Sequence, residues 1–223
     1  MAYFPLFIDL ERKPCLVAGG GRVALRKTQA LLDFGADVTV VSPVIAGEIR
    51  QIKNITVMER EFTPEDLEGK ILVAAATDDA SVNHEIGQLC KKKGIWVNAA
   101  DQPGDCTFFF PAYVRRMDVV AAFSSGGKSP ALAQYLKARE EEMLPEYMGG
   151  LNELLGKIRD RVKRLFHTEE ERKRVYQEIL NLGIRKQSVP AKGEVETLIT
   201  KHGNETIQSK GAENGACKET EKQ

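Results

Sequence analysis

The sequence predicts an α/β protein with a parallel sheet, and three observations carry that prediction. An apolar run, Cys15 to Ala18, enters the turn Gly19-Gly20-Gly21, and Val23 to Phe34 then carries apolar residues at helical spacing. Ile71 to Ala76 is a continuous apolar run, the pattern of a parallel strand buried on both faces. Strand-like and helix-like stretches alternate as far as Asp101.

The first element is an apolar stretch, Tyr3 to Leu10, read as an edge strand. The turn Glu11-Arg12-Lys13-Pro14 joins it to the strand Cys15 to Ala18, so the two are expected side by side. The glycine turn that follows fits G-x-G-x-x-A through Gly19, Gly21 and Ala24. The first glycine permits the turn, the second lets the backbone approach a pyrophosphate, and the small third residue lets helix and strand pack closely. Free N–H groups at the helix start face the phosphates, so a dinucleotide is expected at Gly19, Gly20 and Gly21. Gly35 sits where a helix C-cap belongs, and Asp37 to Val41 is a β-branched strand that completes a βαβ unit. The Rossmann pattern closes this second strand with a ribose-binding acid, whereas here it ends Val41-Ser42-Pro43. Ser42 can hydrogen-bond a ribose hydroxyl, and the missing carboxylate leaves NADP open beside NAD.

Ile45 to Lys53 predicts a short helix, Ile55 to Glu59 a strand, and Thr63-Pro64-Glu65-Asp66 the capped start of another short helix. The run Ile71 to Ala76 ends in Thr77-Asp78-Asp79, and Ser81 to Lys93 is helical, with Gly94 as its stop. Strand carboxyl ends line the ligand crevice of an open α/β sheet, which sets Thr77 and Asp78 beside the cofactor. An acidic turn at a helix N-terminus is the alternative. Ile95 to Ala100 is the next strand and ends at Asp101, before the loop Gln102 to Cys106. A carboxylate at that point can serve as a general base. The alternative is a loop aspartate bonded to its own backbone.

Thr107 to Phe110 and Met117 to Phe123 read as two more strands. The stretch Ser124-Ser125-Gly126-Gly127-Lys128-Ser129-Pro130 is no Walker loop, because Ala122 stands where that pattern needs glycine. Ser129 and Pro130 instead open a helix to about Leu144. Its free N–H groups, with Lys128 alongside, can receive a substrate carboxylate or phosphate; a plain helix cap is the alternative. Leu151 to Phe166 and Glu169 to Leu182 read as amphipathic helices, the second begun by Thr168 and stopped by Gly183. Past Gln187 there is no aromatic residue and few large apolar ones, which predicts a disordered tail.

Composition narrows the function classes. At 223 residues the chain suits one main domain with appendages, by the prior of roughly 100–200 residues per domain. Lys plus Arg equals Asp plus Glu at 32 each, so no global field draws the protein to nucleic acid or a membrane. An anionic ligand must be held by local groups. Cys15, Cys90, Cys106 and Cys217 form no C-x-x-C pair, and no histidine stands at metal-finger spacing. With no signal-peptide pattern and no apolar run of spanning length, the expectation is a reduced, cytoplasmic protein with no metal ligands of its own.

Five motifs together resemble the precorrin-2 dehydrogenase/sirohydrochlorin ferrochelatase family, the dehydrogenase module of siroheme synthase. They are Pro5-Leu6-Phe7, Val17 to Lys27, Ala75 to Asp79 with Val82-Asn83, Asn98-Ala99-Ala100-Asp101, and Ser124 to Ala133. The resemblance runs from about Ala2 to Leu182. It implies a Rossmann-like NAD-binding domain over residues 1–112, a dimerisation segment over 113–148 that makes a homodimer, a small helical domain over 149–186, and an uncovered tail over 187–223. It implies NAD-dependent oxidation of precorrin-2 to sirohydrochlorin, followed in many members by insertion of ferrous iron, a substrate, to give siroheme. Asp101 matches the aspartate assigned to proton removal in both steps, and Arg22, Val23, Ser42 and Pro43 match the dinucleotide contacts. Ser129 matches a substrate-side serine known as a phosphorylation position, where added negative charge disfavours an anionic tetrapyrrole. A separate uroporphyrinogen methyltransferase is expected to supply precorrin-2. Two alternatives stand beside this reading: a dehydrogenase without chelatase activity, and a non-enzymatic dimeric nucleotide-sensing module, which needs no base at Asp101.

Overall fold

In the computed structural model, which describes residues 4–204, five parallel strands build one sheet. They are β1 (Pro14–Ala18), β2 (Asp37–Val41), β3 (Ile55–Met58), β4 (Leu72–Ala75) and β5 (Trp96–Ala99), in spatial order β3-β2-β1-β4-β5. α1 (Arg22–Asp33) links β1 to β2, and the four-residue α2 (Gly47–Arg50) lies between β2 and β3. α3 (Ala80–Lys93) links β4 to β5. Side chains alternate along β1: Cys15 and Val17 join Ala24 and Leu31 of α1 in one core, while Leu16 and Ala18 join Ile86 and Cys90 of α3 in the other. A strand covered on both faces must be apolar throughout, which is why β1 and β4 read as unbroken runs. Strand order reverses at β1 and β4, and the crevice beyond their carboxyl ends is the ligand position of this Rossmann-like architecture.

The sheet corrects the expected first strand. β2 and β4 occupy both edges of β1, so the stretch ahead of it has no free edge to pair with. Residues 4–10 are irregular, and Phe4, Leu6 and Phe7 are exposed. Thr63 opens a 3-10 turn, Pro64–Leu67, in place of a helix, with Asp66 closing a capping box. Thr107 to Phe110 is likewise irregular; Thr107 and Phe108 N–H donate to Val97 O, and Val97 N donates to Thr107 Oγ1, without forming a strand ladder with β5. The strand expected from Met117 is the second arm of a hairpin, β6 (Ala112–Arg116) antiparallel to β7 (Val119–Phe123). Met117 takes a left-handed φ of 56° in its turn.

Four helices follow: α4 (Pro130–Met143), α5 (Tyr147–Leu165), α6 (Glu169–Lys186) and α7 (residues 192–204). α6 begins on the Thr168–Glu171 capping box and passes through Gly183, the expected stop, to end at left-handed Gln187. Gly183 is a packing residue: a Cβ there would lie 2.8 Å from Leu151 Cδ2. α7 corrects part of the expected disordered tail. Val195 and Ile199, four apart and so on one helix face, are buried with Val162, Phe166, Val175 and Ile179. Lys186 to Glu194 at 2.7 Å and Arg161 to Glu196 are ion pairs between this segment and α6 and α5. The rest of the expected tail, residues 205–223, lies outside the described residues.

By its contacts the chain divides into two units, one running to Pro111 and including Ser124–Ala133, the other comprising Ala112–Phe123 and the residues from Gln134 on. The segment 113–148, expected as a separate dimerisation element, is therefore shared between them. Among the described residues no helix is long and apolar enough to cross a membrane.

Candidate dinucleotide and active site

The glycine turn is held between the two neighbouring strand ends. Gly19 has φ 127°, and a Cβ there would sit 2.2 Å from Ala76 O, at the turn that carries Thr77. A Cβ on Gly20 would sit 1.9 Å from Val44 O, at the turn that carries Ser42 and Pro43. Both positions therefore require glycine for lack of room, and Gly19 also for its backbone. Gly21 differs: nothing lies within 4 Å of where its Cβ would be. It is the N-cap of α1 without a side-chain cap, and no acid stands in the first turn. Leu25 is the residue whose N–H bonds back to Gly21 O, at 2.9 Å. The N–H groups of Arg22 and Val23 precede it and are left to a ligand, at the positive end of the helix dipole. Open space over free donors fits a pyrophosphate.

On either side the residues are partly engaged. Ser42 Oγ donates to Val44 O at 2.9 Å, which leaves the oxygen free only to accept, and Pro43 is exposed. Thr77 is tied to buried Asn83: its N–H and its hydroxyl donate to Asn83 Oδ1 at 3.0 and 2.8 Å, and Asn83 Nδ2 donates to Thr77 O at 3.1 Å. Asp79, not Asp78, caps α3, accepting from Ser81 N at 2.7 Å. Bonds from the Ser81 hydroxyl and from backbone N–H groups hold the Asp79 carboxyl below its usual range. Asp78 is exposed at the tip of this turn.

Asp101 follows β5 in the left-handed region, at φ 56°, and is exposed. Among the described residues its carboxylate takes no hydrogen bond, from its own backbone or elsewhere. Lys128 is exposed, and Ser129 Oγ caps α4 by accepting from Leu132 N at 3.2 Å. Gly127, in the same turn, faces the Phe109 ring.

Sequence reasoning missed Lys27. Its ammonium is buried, hydrogen-bonded to Asn98 Oδ1, and 4.4 Å from the centroid of the Phe110 ring. Burial pushes it down to about 8; Arg26 adds to the fall, and the charges of Cys106 and Asp101 oppose it. The signal was present: Ala24, Lys27, Thr28 and Leu31 keep the i, i+3, i+4, i+7 spacing of an inward face, and all four are buried. Among the described residues no three His, Cys, Asp or Glu side chains gather to hold a metal.

Fold and turn together define a dinucleotide-binding α/β protein. Residues 6–112 match a family described as "Putative NAD(P)-binding". The chain is 42% identical over 178 residues to "Siroheme synthase 2" of Aeromonas hydrophila, covering 79% of this chain and 38% of that one. It is likewise 42% identical over 187 residues to "Siroheme synthase" of Nitrosospira multiformis, covering 81% and 40%. The solved structure "SirC, precorrin-2 dehydrogenase" superposes with a TM-score of 0.73 at 25% identity, over 91% of this chain and all of that one. Over most of its length the chain is thus similar to a precorrin-2 dehydrogenase and to part of the siroheme synthases. It spans about two fifths of the length of the siroheme synthases it matches.

Proposed function

We propose that the protein oxidises precorrin-2 to sirohydrochlorin with NAD and then assists ferrous iron insertion to give siroheme. The observation that carries this is the exposed Asp101 carboxylate, free of hydrogen bonds, on the same sheet end as the glycine turn. The N–H groups of Arg22 and Val23, over Gly19, Gly20 and Gly21, would hold the pyrophosphate of a dinucleotide. Ser42 accepts from a ribose hydroxyl beside Pro43, and Thr77 and Asp78 border the crevice. When bound, the nicotinamide supplies a hydride acceptor. The C–H bond that loses hydride sends its electron pair with it, and a proton leaves the adjacent atom as the new double bond forms. Asp101 takes that proton. In the second step two pyrrole N–H groups lose their protons as the nitrogens bind ferrous iron; Asp101, having released the first step's proton to solvent, accepts these one at a time and passes each to solvent. Lys128 and the start of α4 at Ser129 attract the substrate's carboxylates.

Leu132, Tyr135, Leu136 and Met143 are exposed apolar side chains on α4, the face we assign to a second copy in a homodimer. Free Cys15, Cys90 and Cys106 suit the reducing cytoplasm. A uroporphyrinogen methyltransferase activity supplies the substrate.

The test is anaerobic NADH formation from precorrin-2 by the unaltered protein and by Asp101→Asn, then addition of ferrous iron. Asparagine tolerates the left-handed backbone as aspartate does, so the variant isolates the carboxylate. Expected is a fall in turnover of about a hundredfold or more with dinucleotide affinity retained, and siroheme formation faster than without protein. Undiminished turnover in Asp101→Asn removes the base assignment. Iron insertion at the protein-free rate leaves a dehydrogenase alone, and dinucleotide binding without any turnover points to a nucleotide sensor.

A further inference from the structure

We infer that Asp105 is a positioning residue for the reaction, clamping the loop after Asp101 onto α3 and so fixing where the Asp101 carboxylate stands. The inference rests on the reading of Asp101 as the proton acceptor. Asp105 lies four residues beyond it, at the end of the 3-10 turn Pro103–Asp105, and is buried. Its Oδ2 accepts from His84 Nδ1 at 2.7 Å and its Oδ1 from Gln88 Nε2 at 2.9 Å, with Lys91 Nζ 3.5 Å away. Positions 84, 88 and 91 are four and three apart, so all three side chains rise from one face of α3. Lys91 also donates to Gly104 O at 2.6 Å, and Gln102 Nε2 donates to Ala80 O at 2.7 Å. The loop is thus tied to α3 through Gln102, Gly104 and Asp105.

The helix comes this close because residue 87 is glycine: a Cβ there would sit 2.9 Å from Asp105 Cβ. The bond from His84 holds the Asp105 carboxyl below its usual range, so it stays an acceptor. On the sheet side, Cys106 Sγ accepts from Ala99 N at 3.3 Å and donates to Ala99 O at 3.3 Å. Asp101 lies between these ties in a backbone region that side chains seldom adopt. With no hydrogen bond on its own carboxylate, its place is set by β5 before it and the clamped loop after it. A loop set free lets the backbone relax out of the left-handed region and carries the carboxylate with it; a displacement of about 1 Å can lower turnover about a hundredfold.

The test compares Asp105→Ala, Asp105→Asn and Gly87→Ala with Asp101→Asn in the full chain. It reads NADH formation from precorrin-2 and amide hydrogen exchange over residues 101–106. Asp105→Ala is expected to lower kcat about ten- to a hundredfold with KM for NAD within about twofold, and to raise exchange across the loop. Gly87→Ala does the same from the helix side. Asp105→Asn keeps an acceptor for Gln88 and a donor toward His84, and recovers most of the turnover. Unchanged kcat or unchanged exchange in Asp105→Ala overturns the clamp, as does a rise in KM for NAD that matches the fall in kcat. Undiminished turnover in Asp101→Asn is a different failure, that of the base assignment, and the exchange measurement still decides whether the clamp exists.

Discussion

Lys27 donates from α1 to the side-chain carbonyl of Asn98 on β5. Asn98 in turn donates from Nδ2 to Phe108 O at 3.1 Å, so one buried ammonium joins α1, the β5 strand end and the segment that leaves it. The Phe110 ring at 4.4 Å supplies a second partner. Two partners offset only part of the desolvation of a buried charge, which is why the group titrates low.

Lys27→Met is expected to change how stability depends on pH. The folded pKa, about 8, lies below the ordinary 10.5. Below about pH 8 both folded and unfolded chains hold the proton, and the burden of burying the charge is fully present. Between the two values the unfolded chain binds a proton that the folded chain does not, so the unaltered protein gains stability as pH rises. The whole window corresponds to about 3 kcal/mol. Urea unfolding at stepped pH should show the variant's stability relative to the unaltered protein falling by up to that amount between pH 8 and 10.5. A constant difference would mean that the lysine is not buried as a charge.

Gly19 and Gly21 should separate folding from binding. Gly19→Ala forces a side chain against the Ala76 carbonyl at an unfavourable φ, and a loss of about 3 kcal/mol or more is expected in urea unfolding. Gly21→Ala meets open space on ordinary backbone, so stability should stay within about 1 kcal/mol. Its methyl group intrudes on the pyrophosphate, and calorimetric titration should show NAD affinity falling at least about tenfold. Unchanged affinity would take the phosphates away from this turn.

In the second unit, Gly149→Ala should loosen α5 from the β6–β7 hairpin, because its Cβ would lie 2.7 Å from the Arg116 carbonyl. Backbone yields less readily than a side-chain tip, and a loss of about 1–3 kcal/mol is expected. Thr168→Ala, which removes only the cap of α6, should lose about 1 kcal/mol. Equal stability of Gly149→Ala and the unaltered protein in urea would show that the helix shifts freely at this contact.

The candidate site was legible in the sequence where chemistry depends on neighbours in the chain. The turn at Gly19, Gly20 and Gly21, the strand that ends before Asp101 and the cap at Ser129 each follow from a few consecutive residues. Lys27 was not found because a lysine inside an amphipathic helix reads as solvated unless the apolar spacing around it is taken literally. Asp79 took the cap beside Asp78 because only φ and ψ tell adjacent aspartates apart. Asp105 gave no local signal, since its partners lie seventeen and twenty-one residues away on α3.

By itself the sequence determined the repeated strand, turn and helix of the dinucleotide unit, because burial on two faces demands unbroken apolar strands and tight turns demand glycine. Tertiary structure alone decided the neighbours. β2 and β4 closed both edges of β1 and left residues 4–10 unpaired. Leu151 packed against Gly183 in the interior of α6, where a stop had been expected. Val195 and Ile199 gained a core that a polar stretch does not announce. Strand edges, packing gaps and shared cores exist only once distant segments meet, and short-range pattern carries no record of which segments those are.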